Sequence, residues 1–137
     1  MCGIFAVIQL ISSYNKKLHE INFKESWMSG QSRGPEHSSW LEHDFGYIGF
    51  HRLAINGLNT ISNQPLNKKG CILICNGEIY NYKELYKSLD IEQETNSDCE
   101  IIIDMYKKYG IEYTLQNLDG VFGFVLIDVE NKTENTV

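Results

Sequence analysis

Apolar positions along this chain fall into two periods, short runs suited to strands and spaced positions suited to helices. Ile4 to Ile11 (IFAVIQLI) is nearly continuously apolar and rich in β-branched side chains, which predicts a strand covered on both faces. Tyr47 to Ile55 (YIGFHRLAI) and Cys71 to Cys75 (CILIC) predict two more strands, separated by a turn-rich stretch containing Asn56-Gly57 and Pro65. Even spacing in CILIC places Cys71, Leu73 and Cys75 on one strand face. Val121 to Val129 (VFGFVLIDV) predicts a last strand, and the polar tail VENKTENTV is expected to fray.

The helical period shows first in Asn22 to Gly30 (NFKESWMSG), where Phe23 and Trp27 stand four apart. Tyr82, Leu85, Tyr86 and Leu89 follow with helical spacing, and Asn81 is placed to cap them. Ser97-Asp98-Cys99-Glu100 matches a capping box, predicting a helix that runs to about Tyr109. Its apolar face would be Ile101, Ile102, Met105, Tyr106 and Tyr109, and Gly110 suits the left-handed turn that ends it. A short helix from Ile111 to Leu118 completes the pattern. Groups of strands with helices between them predict a layered α and β domain.

A chain of 137 residues suits one domain, large enough to bury roughly 68% of its unfolded surface. Its 42% hydrophobic and 22% charged residues, with only two prolines, are those of a globular protein rather than a disordered one. A net charge of −6, with lysines scattered in pairs, gives nucleic-acid binding little electrostatic support. No apolar stretch is long enough to cross a bilayer, and the apolar start lacks the basic segment and cleavage pattern of a signal peptide. The expected location is the cytoplasm. The cysteines at 2, 71, 75 and 99 form no CxxC pair, so buried thiols are favoured over zinc or disulfides.

Chemistry is suggested first by MCGIF. Processing normally removes Met1 before a residue as small as cysteine, leaving Cys2 with a thiol and a free α-amine, a nucleophile and a base on one residue. Gly3 would let backbone approach a substrate closely. Asn76-Gly77-Glu78 offers an amide side chain and an unobstructed backbone N–H, which can form an oxyanion hole or simply a turn. Arg52, inside a hydrophobic strand, requires either a structural ion-pair partner or a ligand. Asp98 at a first helical turn is favourable through the dipole alone, and Arg33-Gly34-Pro35 reads as a turn.

Taken in order, MCGIF, RGP at 33–35, HRLAI at 51–55, NQPL at 63–66, NGEIYNY at 76–82, SDCE at 97–100 and LDGVFGFVLID at 118–128 resemble the glutaminase domain of asparagine synthetases. These are class II glutamine amidotransferases of the N-terminal nucleophile type. The resemblance implies an α+β fold, a four-layer αββα sandwich of antiparallel sheets, with glutamine bound at the start of the first strand. It also implies that Cys2 attacks the side-chain carbonyl of L-glutamine, giving a glutamyl thioester and ammonia, and that water then releases glutamate. By the same resemblance Asn76 and Gly77 match the oxyanion-hole pair, Arg52 the clamp on the substrate α-carboxylate and Asp98 the partner of its α-amine. Leu53, Ala54, Ile55 and Glu78 match the remaining glutamine contacts, and Arg33 an auxiliary arginine near the nucleophile. Opposite charges on Arg52 and Asp98 suit a zwitterion.

Two stretches depart from the family pattern. Glu36 and His37 stand where an aspartate and a glycine are usual, and Phe50 stands where a histidine is usual, with His51 shifted by one. Family members also continue beyond the LID strand, so residues 1–137 are expected to form one amidotransferase domain incomplete at its C-terminal end, without the synthetase domain. The glutaminase half is expected to need no metal or cofactor, with ATP and Mg confined to the synthetase domain. Its expected partner is a synthetase domain or chain that accepts ammonia, and a second copy in a homodimer is a further candidate. Two rival classes are a truncated, non-catalytic glutamine-binding or interaction module and a redox or metal protein using Cys71, Cys75 and Cys99.

Overall fold

The computed structural model describes residues 2–8, 16–54, 59–131 and 133–136. Its strands are β1 (Gly3–Ile8), β2 (His37–His43), β3 (Gly46–Arg52), β4 (Leu66–Lys68), β5 (Cys71–Ile79), β6 (Gly120–Asp128) and β7 (Thr133–Thr136). Its helices are α1 (Lys16–Met28), α2 (Tyr82–Leu89), α3 (Ile101–Tyr109) and α4 (Ile111–Asn117). The fold is α+β, with two antiparallel sheets ordered β1-β3-β2 and β4-β5-β6-β7.

The period of two along the strands sorts side chains into separate cores. Ile48 and Phe50 of β3 meet Ile72 and Ile74 of β5 and Val125 and Ile127 of β6 between the sheets, joined by Ala6 and Ile8 of β1. Cys71, Leu73 and Cys75 share the opposite face of β5, as their spacing predicts. There they pack with Phe124 and Leu126 under Tyr86 and Leu89 of α2 and Ile101, Ile102 and Met105 of α3. On the far side of the three-stranded sheet, Trp27 of α1 meets Trp40 at 5.1 Å and stacks on His51 at 4.8 Å. Gly49 is required under this aromatic layer, because a Cβ there would strike the Trp27 indole.

Several expectations need correction. β1 lies at a sheet edge and is half-covered, with Ile4 37% exposed, because only β3 pairs with it. Residues 9–11 of the expected strand, and Ile55 at the end of another, lie outside the described residues. The tail does not simply fray, since Thr133–Thr136 pairs with Val125–Asp128, whose backbone edge offers donors and acceptors. Asn81 stands at the N-cap position of α2, as expected, but its side chain makes no capping bond. Its side chain donates to Asn117 O at 2.9 Å and accepts from Asp119 N–H at 3.0 Å, satisfying the exposed end of α4 instead. The Ser97 capping box is also absent: residues 98–100 form a 3₁₀ turn with no side-chain cap, and Glu100 is engaged elsewhere. Gly110 has the positive φ, +80°, anticipated at the end of α3.

Candidate active site

Strand alternation brings the predicted residues together. Arg52 follows Phe50 by two on β3, and Asn76 follows Ile74 by two on β5, so both continue the row that fills the space between the sheets. Cys2 precedes β1 and also packs on that inter-sheet core. At the open end of this space lies a cavity of about 560 Å³ lined by Cys2, Arg52, Asn76, Gly77 and Asp98, with Leu53, Ala54 and Glu78 at its wall. Arg33 does not line it. Exposed on a 3₁₀ turn, Arg33 donates from Nε to the Cys2 carbonyl at 3.3 Å and so touches the nucleophile's backbone.

The Cys2 thiol is half-buried and sits against one backbone unit, with Sγ 3.3 Å from Leu53 N and 3.4 Å from Leu53 O. Arg52 is 8% exposed, and its guanidinium donates to Asn59 O at 3.2 Å and to Asn63 Oδ1. Both of these bonds orient the guanidinium at the cavity wall. Asp98, 5% exposed, accepts from Ile79 N–H at 2.7 Å.

That last bond reveals the direction of the β5 backbone. Cys75 N–H and C=O, Gly77 C=O and Ile79 N–H all bond on the edge of β5 away from β6, to Gln64, Cys99 and Asp98 respectively. By alternation the Gly77 N–H points to this same edge, where β4 has already ended and the cavity begins. On the other side β6 crowds Gly77 so closely that a Cβ would strike the Val121 carbonyl and Phe122 Cα.

The other three cysteines are buried. A hydrogen bond with Cys75, together with burial, pushes the Cys99 thiol well above its ordinary pKa, and burial pushes Cys71 up to about 11. Among the described residues no three His, Cys, Asp or Glu side chains converge as metal ligands.

The departures at 36, 50 and 51 also find their places. A shift by one residue on a strand exchanges faces, so Phe50 enters the inter-sheet core and His51 turns toward α1. There His51 is buried, with Nε2 donating to Trp27 O at 2.8 Å and Nδ1 paired with Ser38 Oγ at 2.7 Å. Glu36 accepts from Ala54 N–H at 2.8 Å, tethering the segment that follows Arg52. Sequence reasoning missed Gln64, which lines the cavity and bonds β5, although NQPL was visible as a motif.

The model of the glutamine amidotransferase domain family matches residues 1–136. The chain belongs to this family. Among curated relatives, this amidotransferase domain is 43% identical to "Asparagine synthetase [glutamine-hydrolyzing]" of Mesocricetus auratus, over 96% of the chain and 23% of the relative. It is 38% identical to the protein of that name from Zea mays, over 97% of the chain and 22% of the relative. A "Probable asparagine synthetase [glutamine-hydrolyzing]" of Acanthamoeba polyphaga mimivirus is 34% identical over 96% of the chain and 24% of its own length. The chain therefore spans less than a quarter of the length of these relatives.

Proposed function

We propose that this amidotransferase domain hydrolyses L-glutamine to glutamate and ammonia through a thioester on Cys2. The observation that carries this reading is the convergence of Cys2, Arg52, Asn76, Gly77 and Asp98 on one cavity from four separate chain segments. With Met1 removed, the α-amine takes the thiol proton, and Sγ attacks the glutamine Cδ. The resulting oxyanion is held by the Gly77 N–H and the Asn76 side-chain amide. The C–N bond then breaks as the α-ammonium returns its proton, ammonia leaves, and water cleaves the thioester to glutamate. Arg52 pairs with the substrate α-carboxylate and Asp98 with its α-ammonium, while Leu53, Ala54, Ile55 and Glu78 complete the contacts. Arg33 steadies the backbone of residue 2.

This half-reaction draws on protein groups and water alone, without a metal or cofactor. Ammonia passes to a synthetase module that makes asparagine, as the names of the relatives suggest, and any need for ATP and Mg belongs to that module. Helices over both outer faces of the paired sheets support the four-layer αββα arrangement of N-terminal nucleophile hydrolases. Four free thiols fit a cytoplasmic setting, and no helix among the described residues is long and apolar enough to cross a membrane.

The test is glutamine-dependent ammonia release by the full chain, with intact mass measured after exposure to a glutamine-mimicking diazoketone. A single adduct on Cys2 is expected, and Cys2→Ser should lower turnover by at least about 10³-fold with little change in Tm. Undiminished turnover in that variant, or methionine still attached to the active protein, overturns the reading.

A further inference from the structure

The pairing of β4 with β5 sets Leu66 opposite Leu73 and Lys68 opposite Cys71. Continued by two residues, that register places Gln64 opposite Cys75. At this rung the chain has left the ladder through the turn at Thr60–Ser62, and the Gln64 side chain stands in for the missing strand. Cys75 N–H donates to Gln64 Oε1 at 2.5 Å, and Gln64 Nε2 donates to Cys75 O at 3.1 Å. This reciprocal exchange is what one residue of an antiparallel strand offers its partner. The Gln64 carbonyl in turn accepts from Ser39 Oγ of β2 at 2.6 Å, fastening the rung to the opposite sheet. Gln64 is 7% exposed and lines the same cavity as Cys2.

Along the cavity edge of β5, the rung before Gly77 is therefore held by Gln64 and the rung after it, Ile79, by Asp98. A complete backbone strand opposite Cys75 would continue past Gly77 and cover its N–H. A single carboxamide satisfies Cys75 and leaves the Gly77 N–H uncovered, while the Gly77 carbonyl meets Cys99 Sγ.

We propose that Gln64 is a positioning residue for the glutaminase reaction: its carboxamide replaces a strand at Cys75, fixing Asn76 and the Gly77 N–H toward the reacting carbonyl. This rests on the functional reading above and adds a residue to it. Gln64 acts through Cys75, so its contribution falls on the transition state, where the oxyanion forms, and leaves capture of the amino-acid end of glutamine to Arg52 and Asp98.

The experiment compares the full-length wild type with Gln64→Leu and Gln64→Glu in steady-state ammonia release, and follows the Cys75 amide, which donates to Gln64 Oε1, by NMR hydrogen exchange. Gln64→Leu removes both bonds, while Gln64→Glu keeps the acceptor for Cys75 N–H and loses the donor to Cys75 O. The expected result is a kcat lower by roughly tenfold or more in Gln64→Leu with KM within about threefold, Gln64→Glu lying between it and wild type. Exchange at Cys75 should quicken in the same order. A folded variant with kcat within about twofold of wild type and unchanged Cys75 exchange overturns the proposal, as does a loss confined to KM. Should Gln64→Leu fail to fold, Gln64→Glu decides by the same criteria. A wild type that releases no ammonia refutes the glutaminase reading instead, and Cys75 exchange in the two variants then decides alone whether Gln64 holds this backbone.

Discussion

Two polar regions flank β5, and they differ in what their charged groups face. Beneath the start of the 98–100 turn, Lys68 Nζ meets Glu100 Oε1 at 2.6 Å, Asp104 Oδ2 at 2.8 Å and Glu94 Oε1 at 3.1 Å, while Lys69 reaches Asp104 Oδ1 at 2.7 Å. Glu100 also accepts from Thr95 N–H and Oγ1, both at 2.6 Å, and from Glu94 N–H at 3.1 Å. Burial opposes its charge, yet the bonds from Lys68 and Thr95 prevail and hold its pKa below the usual carboxylate value. Each charge there is answered inside the protein. In the cavity, by contrast, Arg52 and the Gly77 N–H line open space, the guanidinium steadied by Asn59 O and Asn63 Oδ1. Charged groups packed on one another fix a loop, whereas a guanidinium and an open N–H that line a cavity can also meet a ligand.

The contrast breaks most visibly when one member of the saturated cluster loses its charge. Glu100→Gln should cost about 2–3 kcal/mol, since it weakens the charge-assisted bonds from Lys68 and Thr95 while Asp104 and Glu94 still pair the ammonium. Thermal and urea melts measure this, and a loss under about 1 kcal/mol would show that water reaches the cluster. Arg52→Lys asks the reverse question. The amine cannot reproduce the fork geometry, so KM for glutamine should rise roughly 10- to 100-fold while Tm hardly moves. An unchanged KM would remove Arg52 from substrate binding.

A smaller effect sharpens the same distinction at a second saturated site. Burial disfavours ionised Asp128, but bonds from Asn131 and Lys107 outweigh it and lower the pKa from 3.8 to about 2. Because the folded value is depressed, the ionised group stabilises the fold above about pH 4, and that contribution fades as pH falls through about 2. Melts across this range should show a shallower dependence on pH in Asp128→Asn. Identical slopes would place the acid sensitivity elsewhere.

Much of this molecule was legible before any coordinates. The strands around CILIC and VFGFVLID and the helices after Asn81 and Glu100 follow from uninterrupted or regularly spaced apolar positions. Cys2, Arg52, Asn76 and Asp98, distant in sequence, were named from their chemistry and from the order of motifs. Less visible was β2, HSSWLEH, whose polar residues hide the alternation that Trp40 and Leu41 carry. β4 is three residues long, too short for a periodic signal. The caps failed where tertiary partners outbid local ones: Glu100 found Lys68 and Thr95, and Asn81 found α4. Gln64 escaped because a side chain impersonating a backbone has no sequence pattern of its own.

The facing rows on β3 carry a genetic corollary. Phe50 and Arg52 look one way and His51 the other, so dropping or adding a single codon between Gly46 and His51 would swing the guanidinium into the indole layer and leave an imidazole over the cavity. Spelling along this strand can drift across generations, but its letter count cannot.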